Sequence, residues 1–197
     1  GEKGIVPSKE EIKKALALVD YKKVVVDEEN GTVFLKTTGM TINLGGVAKG
    51  YITSKAAEIL KRNGVTEGII KAGGDMVAFR TKTTAKEPFK IGIQHPREQK
   101  LLGEAHMTNG AVSTSGDYER FFIIAGKRFH HILDPKTGYP ADKGMSVTVT
   151  GPDATEADAR STAIFVMGPE KGMKLIERRD GYEGVIVDTG GRVRTSK

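Results

Sequence analysis

The sequence contains no cysteine, no tryptophan and only four histidines among its 197 residues. Without cysteine, the chain cannot form disulfides, use a thiolate nucleophile or bind zinc through sulfur. No stretch approaches the roughly 20 consecutive apolar residues that a membrane-spanning helix needs. The first four residues, Gly-Glu-Lys-Gly, also lack the apolar core of a signal peptide. The sequence therefore excludes thiol chemistry and predicts no transmembrane segment in this chain.

The charged residues are unbalanced but dispersed. Lysine and arginine total 31 against 25 acidic residues, which gives a net charge of +6. The basic residues do not form a stripe with aromatic residues between them, so we expect a basic surface that favours anions and no dedicated nucleic-acid face. The chain is 38% hydrophobic and 28% charged, a composition typical of a folded globular domain.

Capping and turn signals mark the first elements. Ser8 followed by Glu11 has the pattern of a capping box and predicts an amphipathic helix that runs to residue 18. A Glu-Asn-Gly turn then joins two predicted strands at residues 23–27 and 32–36. The chain is therefore predicted to open with a helix followed by a hairpin.

Two longer helices are predicted further along the chain. The first begins after residue 45 and has one apolar face formed by Ala48, Ile52, Ala56, Ile59 and Leu60. The second covers residues 155–167, and a shorter helix follows Pro169. Strands are predicted at residues 68–72, 76–80, 89–94, 105–108, 111–114, 120–125, 146–150, 184–188 and 192–195. Because there is no strict βαβ alternation, we expect an α+β fold with mixed sheets and two principal helices.

Two of the four histidines are adjacent, in the run Phe-His-His-Ile-Leu-Asp-Pro-Lys-Thr-Gly at residues 129–138. If residues 129–133 are extended, successive side chains point to opposite faces, so that one histidine can enter a site while the other does not. The Asp-Pro-Lys-Thr-Gly part is also typical of an ordinary turn without a function. From these residues alone, both interpretations stand.

A glycine pair precedes the first long helix, in Thr-Ile-Asn-Leu-Gly-Gly-Val-Ala-Lys-Gly at residues 41–50. We predict a strand-to-helix junction there. Free N–H groups and the positive end of the helix dipole suit a phosphate, and Lys49 adds a positive charge. The run matches neither the dinucleotide nor the P-loop fingerprint, and a tight turn explains the glycines equally well.

Hydroxyl groups and carboxylates gather in two further segments. Residues 112–120 read Val-Ser-Thr-Ser-Gly-Asp-Tyr-Glu-Arg, which predicts either a loop that holds phosphate or ribose oxygens or an ordinary turn. Asp158 and Thr162 stand four residues apart, so on a helix they share a face and offer oxygen ligands to a hard cation such as Mg²⁺. Alternatively, Asp158 caps the helix that starts near Thr155, and Thr162 bonds back to its own turn.

Taken together and in this order, these segments resemble the ApbE family of FAD:protein FMN transferases. Five family motifs have counterparts: D-L-G-[AG]-[IV]-A-K-G-Y at residues 43–51, G-G-[DN] at 73–75, S-G-D-Y-E-R at 115–120, H-I-x-D-P-x-T-G at 131–138, and A-D-A-x-[SA]-T-A at 157–163. The resemblance implies an ApbE-like, T-fold-related architecture. It also implies that residues 1–197 are a single flavin-transferase-like domain, the C-terminal two-thirds of the family's usual length.

The resemblance implies an enzyme that binds FAD and Mg²⁺, transfers the FMN moiety to a Thr or Ser hydroxyl of a target flavoprotein, and releases AMP. Such a reaction needs a base, a cation and groups that hold the phosphates. The implied base is His131 rather than His130. The implied metal ligands are the side chains of Asp158 and Thr162 and the backbone carbonyl of Gly46. The implied FAD contacts are Asn43, Lys49, Ser115, Gly116, Asp117 and Ile132.

The sequence departs from the family in two respects. Asn43 stands where many members have aspartate, which keeps hydrogen bonding but removes a charge. The family's N-terminal part, which supplies flavin and adenine contacts, has no counterpart, so we expect an N-terminally trimmed member. Alternatives are a non-catalytic flavin- or partner-binding module, an FAD pyrophosphatase that yields FMN and AMP, and polyanion binding through the net charge. The resemblance also implies an extracytoplasmic location in bacteria.

Overall fold

The computed structural model describes residues 4–82 and 87–196. The helices are α1 (Lys9–Leu16), α2 (Ala48–Arg62), α3 (Ala154–Met167) and α4 (Pro169–Glu177). The strands are β1 (Val24–Asp27), β2 (Thr32–Leu35), β3 (Glu67–Ala72), β4 (Asp75–Arg80), β5 (Phe89–Gln94), β6 (Leu101–Met107), β7 (Gly110–Gly116), β8 (Phe121–Ile124), β9 (Lys127–His130), β10 (Ser146–Gly151), β11 (Glu183–Val187) and β12 (Val193–Thr195). The predicted α+β class is confirmed. Within the described ranges, no helix is both long and apolar enough to cross a membrane.

A six-stranded antiparallel sheet organises the molecule, with strand order β12-β11-β10-β7-β4-β3. Helices α2, α3 and α4 pack on one face, and the β5–β6 hairpin packs on the other. Successive side chains of β7 point to opposite faces of the sheet. Val112 packs against the hairpin layer, while Ser113 and Ser115 point to α3. A central strand therefore presents hydroxyl groups to the helix layer.

The first helix begins as its capping pattern predicts. The Glu11 N–H donates to Ser8 Oγ at 3.3 Å, and the Ser8 N–H donates to the Glu11 carboxylate at 2.8 Å. The helix then packs on the turn at residues 134–138, where a Cβ added to Gly138 would lie 2.6 Å from Ile12 Cγ2. The segment that follows the two histidines is thus covered by α1.

Helix α2 forms where it is predicted, but its predicted apolar face is not the buried one. The buried positions are Gly50, Thr53 and Ala57, whereas Ile52 and Ile59 are 59% and 58% exposed. The reason is close helix packing, because a Cβ on Gly50 would lie 2.1 Å from the Ala154 carbonyl oxygen at the start of α3. Only small residues fit that contact, so the small face is buried and the large apolar face is outside.

The strand predicted before α2 is also wrong. Residues 41–44 have no regular secondary structure, and residues 45–47 form a turn. The Asn43 side-chain oxygen accepts the Gly45 N–H at 2.7 Å, an Asx turn that competes with extended pairing. The glycine pair therefore enters the helix from a side-chain-stabilised turn.

A carboxylate on the outer part of α3 fastens this helix to the connection between α4 and β11. Glu156 accepts from Arg160 at 2.6 Å, from Arg179 at 3.1 Å and from the Tyr182 hydroxyl at 2.8 Å. These hydrogen bonds, that of Tyr182 foremost, lower the pKa of Glu156 to about 2. The ionised carboxylate is consequently a structural tie at the edge of the helix layer.

We expect the Glu156→Gln variant to lose roughly 2 kcal/mol of unfolding free energy at pH 7, because a charged acceptor of three hydrogen bonds becomes neutral. The folded pKa of Glu156 lies below its ordinary value of 4.5, so its contribution is present above pH 4.5 and lost as the pH falls towards about 2. Urea denaturation at pH 7 and pH 3 should show a smaller acid loss for the variant than for the wild type. Equal acid losses would contradict the assignment.

Candidate active site

Seven polar side chains meet where α2 begins, α3 runs and β4 and β7 lie side by side. This polar centre consists of Lys49, Asp75, Ser113, Ser115, Asp158, Ser161 and Thr162. All but Lys49 and Thr162 are buried in the fold. Because burying so many polar groups is costly unless they are paired, the arrangement of their hydrogen bonds determines what the centre can do.

The Lys49 ammonium lies between two buried carboxylates. Its Nζ is 2.8 Å from Asp75 Oδ2 and 3.3 Å from Asp158 Oδ1, and both aspartates are only 1% exposed. The second oxygen of Asp158 accepts the Gly50 N–H at 3.0 Å, so the start of α2 is joined directly to α3. The positive charge of Lys49, at the N-terminus of α2, is thus held by two buried negative charges.

Burial and charge act in opposite directions on these groups. Burial lowers the pKa of Lys49, but the hydrogen bond and charge of Asp75, together with those of Asp158, outweigh it and raise this pKa above its ordinary value. Burial raises the pKa of Asp75, against the hydrogen bonds from Lys49 and Ser113. The ammonium accordingly stays charged over the physiological pH range.

The alternative in which Asp158 caps α3 is wrong. The N-cap is Asp153, whose side chain accepts the Glu156 N–H at 2.7 Å. Asp158 lies inside the helix and turns towards Lys49 and Gly50 instead. Its carboxylate is therefore available to the polar centre.

Thr162 and Gly46, two of the metal ligands implied by the resemblance, lie side by side. A Cβ added to Gly46 would be 4.0 Å from Thr162 Oγ1, and Thr162 Oγ1 is 3.0 Å from Ser115 Oγ. The described residues contain no group of three or more histidine, aspartate or glutamate side chains that could hold a metal. One carboxylate, one hydroxyl and one carbonyl make an oxygen-only set, which fits Mg²⁺ when substrate phosphates complete its shell.

The two adjacent histidines have opposite environments. His130 is buried, its ring lies edge-on to Phe165 at 5.5 Å between centroids, and both ring nitrogens are used. Nδ1 accepts the Ile132 N–H at 3.3 Å, so Nε2 carries the proton and donates to the Ala141 carbonyl oxygen at 2.9 Å. Burial lowers the pKa of His130. This histidine is a neutral structural residue.

His131 is exposed and has one ring nitrogen free among the described contacts. Its Nδ1 lies 3.3 Å from the Arg120 carbonyl oxygen, which can only accept, so Nδ1 carries the proton. The lone pair is then on Nε2. An oriented imidazole with a free basic nitrogen is the arrangement that a general base needs.

The turn after the histidines is organised by Asp134. Its carboxylate accepts the Lys136 N–H at 2.8 Å, and its backbone carbonyl accepts the Gly138 N–H at 2.8 Å. Ile132 is buried in the main core, and its carbonyl accepts the Ala141 N–H at 3.0 Å. Fixed on both sides in this way, His131 projects from a rigid segment.

The residues 115–117 leave β7 at the edge of the polar centre. Ser115 belongs to the centre, while both Asp117 carboxylate oxygens accept from Arg97, at 2.7 and 2.6 Å. A Cβ on Gly116 would lie 2.4 Å from the Tyr118 ring, so this position holds an aromatic ring against the backbone. The Asp117 side chain and backbone are therefore both engaged in fixing the loop, since its N–H donates to the Met145 carbonyl oxygen at 3.1 Å and its carbonyl oxygen accepts from Arg128 at 3.4 Å.

The structure thus brings together Gly46, Lys49, Ser115, Asp158 and Thr162 in one place. Asn43 lies just before them in the turn that leads into α2. Among the described residues, His131 shares no hydrogen bond with this group, and its partner is Arg120.

No role was predicted from the sequence for Asp75, Ser161 or Arg97. A carboxylate directly after a glycine pair, at the start of a buried strand, was the available signal for Asp75. Ser161 lies inside the motif at residues 157–163, at a position where the motif also accepts alanine, and Arg97 lies in none of the motifs.

The fold and the polar centre define the chain as an α+β domain with a candidate anion and cation site where two helices meet an antiparallel sheet. The ApbE family model matches residues 1–194, and the chain belongs to the ApbE family.

Relatives and solved structures agree with this membership. The chain is 37% identical over 185 residues to an FAD:protein FMN transferase of Klebsiella pneumoniae, covering 92% of this chain and 56% of that protein. It is 33% identical to an FAD:protein FMN transferase of Treponema pallidum, covering 99% and 58%. The crystal structure of the ApbE protein from Thermotoga maritima superposes with a TM-score of 0.88 at 42% identity, covering 98% of this chain and 63% of that one. The chain spans just over half the length of the curated relatives it matches.

Proposed function

We propose that residues 1–197 act as one domain of an FAD:protein FMN transferase that moves the FMN moiety of FAD to a Thr or Ser hydroxyl of a flavoprotein and releases AMP. The observation that carries the proposal is the meeting of Lys49, Asp158 and Thr162 beside Gly46. A pyrophosphate carries dense negative charge, and this corner offers an ammonium, a helix N-terminus and the oxygen ligands of a hard cation.

The chemical roles follow from the geometry of each group. The acceptor hydroxyl forms a bond to the FMN phosphorus, the phosphoanhydride bond breaks, and AMP leaves. The hydroxyl proton passes to Nε2 of His131, since Nδ1 is turned to Arg120. The Lys49 ammonium, at the positive end of the α2 dipole, holds phosphate oxygens, while the Ala48 and Gly50 N–H groups already donate to Leu44 and Asp158. Asp158, Thr162 and the Gly46 carbonyl would hold a Mg²⁺, which would neutralise charge on the phosphates.

The test is an incubation of the protein with FAD, Mg²⁺ and a threonine-bearing acceptor flavoprotein. We expect a phosphoester-linked flavin on the acceptor by mass spectrometry, an equal amount of AMP by chromatography, and loss of both with EDTA. FMN and AMP without an adduct would indicate the pyrophosphatase, and FAD binding without AMP would indicate a binding module. If a polypeptide of the relatives' full length gives neither adduct nor AMP, the proposal is wrong.

A further inference from the structure

Asp75 is the carboxylate of the polar centre to which the proposed function gives no role. It begins β4 directly after the glycine pair at residues 73–74 and is 1% exposed. A Cβ on Gly74 would lie 2.6 Å from the Thr114 carbonyl oxygen, so the turn presses against β7 and sets Asp75 opposite Ser113 in the sheet register. A buried charge placed this closely requires a physical reason, because burying it is costly.

One carboxylate oxygen of Asp75, Oδ2, makes the shorter of the two ion pairs with Lys49. The Nζ of Lys49 is 2.8 Å from Asp75 but 3.3 Å from Asp158, so Asp75 is the nearer counter-ion. The Lys49 stem also passes Gly73, whose added Cβ would lie 3.9 Å from Lys49 Cδ. Asp75 thereby competes with Asp158 for the ammonium, and Asp158 Oδ1 receives the longer of the two contacts. A carboxylate in that state can accept a cation.

The other oxygen of Asp75 accepts from Ser113, the first of a series of hydroxyl groups that leads to Thr162. A hydroxyl has one hydrogen and a carboxylate only accepts, so Ser113 donates to Asp75 Oδ1. Ser113 can then only accept from Ser161, 3.1 Å away, and Ser161 has two acceptors for its hydrogen, Ser113 and the Asp158 carbonyl oxygen at 3.0 Å.

The same count of hydroxyl hydrogens extends to Ser115 and Thr162, the last members of the series. Ser161 can give its single hydrogen to the Asp158 carbonyl oxygen whatever Ser113 does, and Ser115 then donates to Ser161 across 2.9 Å. Thr162 must in turn donate to Ser115 across 3.0 Å. The hydrogen of Thr162 therefore points into the protein, and the lone pairs of its oxygen are left for a cation.

We propose that Asp75 is a positioning residue of the cation site: as the nearer counter-ion it holds the Lys49 ammonium and so leaves the Asp158 carboxylate to ligate the cation. The inference rests on the proposed function, since it concerns the same site. Outer residues that orient metal ligands typically alter metal affinity about 10- to 100-fold when they are changed. Asp75 acts on Asp158 through the ammonium that the two carboxylates share.

The test is a Mn²⁺ titration followed by the EPR signal of the free ion, on the wild type and two variants. Asp75→Asn removes the nearer counter-ion of Lys49 and offers Ser113 an amide that can donate, so we expect Mn²⁺ affinity to fall about tenfold or more. Lys49→Met removes the cation that competes for Asp158, so we expect the affinity to rise. The two changes are thus expected to have opposite signs.

Glu156→Gln is the matched control, because it makes the same carboxylate-to-amide change on α3 outside the polar centre. It should lower the melting temperature and leave Mn²⁺ affinity unchanged. An Asp75→Asn affinity within twofold of the wild type would overturn the positioning role, even with a lower melting temperature, and so would weaker binding by Lys49→Met. Absence of Mn²⁺ binding by the wild type would instead overturn the cation site of the proposed function and this inference with it.

Discussion

His131→Ala is expected to lower FMN transfer by about 100- to 10,000-fold, the usual contribution of a general base, and to leave the melting temperature unchanged. The ring is exposed and its one described hydrogen bond, to the Arg120 carbonyl, is 3.3 Å long. His131→Gln should be equally inactive. A glutamine can still donate to Arg120, but it cannot accept the proton. Rates of AMP release with and without the acceptor provide the measurement.

His130→Ala is the internal control, since it changes the neighbouring residue with the opposite expected outcome. It removes the ring against Phe165 and leaves the Ala141 carbonyl and the Ile132 N–H without partners, which should cost about 2 to 4 kcal/mol of unfolding free energy. Folded molecules should keep their transfer rate. Loss of transfer by His130→Ala at full stability, with His131→Ala active, would reverse the assignment.

The buried histidine also has a pH signature. Burial lowers the pKa of His130 in the folded protein below its ordinary value of 6.5. At a pH between the folded-state pKa and 6.5, the unfolded chain therefore binds the proton more strongly than the folded protein does. The stability that His130 contributes is therefore present above pH 6.5 and decreases as the pH falls.

Gly50→Ala is expected to destabilise the protein by at least about 3 kcal/mol, at the upper end of the range for overpacking. Its Cβ would lie 2.1 Å from the Ala154 carbonyl oxygen and 2.9 Å from Asp158 Cβ. Both atoms are fixed by the backbone of α3, so the clash can be relieved only if the two helices move apart. Separating the two helices also lengthens the bond from the Gly50 N–H to Asp158, so transfer activity should fall as well. Urea denaturation and the transfer assay report the two effects.

Gly103→Ala provides the comparison for that substitution. Gly103 lies in β6, and its added Cβ would have no heavy atom within 4 Å. The unfolding free energy of the Gly103→Ala variant should differ from that of the wild type by less than about 0.5 kcal/mol. A Gly50→Ala variant as stable as Gly103→Ala would show that α2 and α3 do not pack as closely as described.

Most elements could be predicted because their signals are local. A capping box, a Glu-Asn-Gly turn and alternating β-branched residues each act over a few residues and place α1, the first hairpin and the sheet strands. The buried face of α2 could not be predicted in this way, because the packing with Ala154 selects for small size, whereas periodicity registers only hydrophobicity. The Asx turn of Asn43 likewise replaces a strand by one side-chain hydrogen bond.

The motifs could name residues of the candidate site, but they could not predict how those residues contact one another. The motifs identify Lys49, Asp158 and Thr162, and alternation predicts that the two histidines differ. The state of each group depends on distant partners, as with Asp75 for Lys49 or the Arg120 carbonyl for His131. These contacts follow from the sheet register and the docking of α3, which no short motif encodes.

The polar centre is built from parts of the chain that are far apart in sequence. Lys49 and Asp158 are separated by 109 residues, Ser113 and Ser161 by 48, and Asp75 and Ser113 by 38. Closing such long loops costs entropy before any contact stabilises them, so these bonds form only when both helices have docked on the sheet. A ligand of the centre stabilises that state alone. The proposed cation site is therefore complete only at the last stage of folding, and does not form progressively with the individual elements.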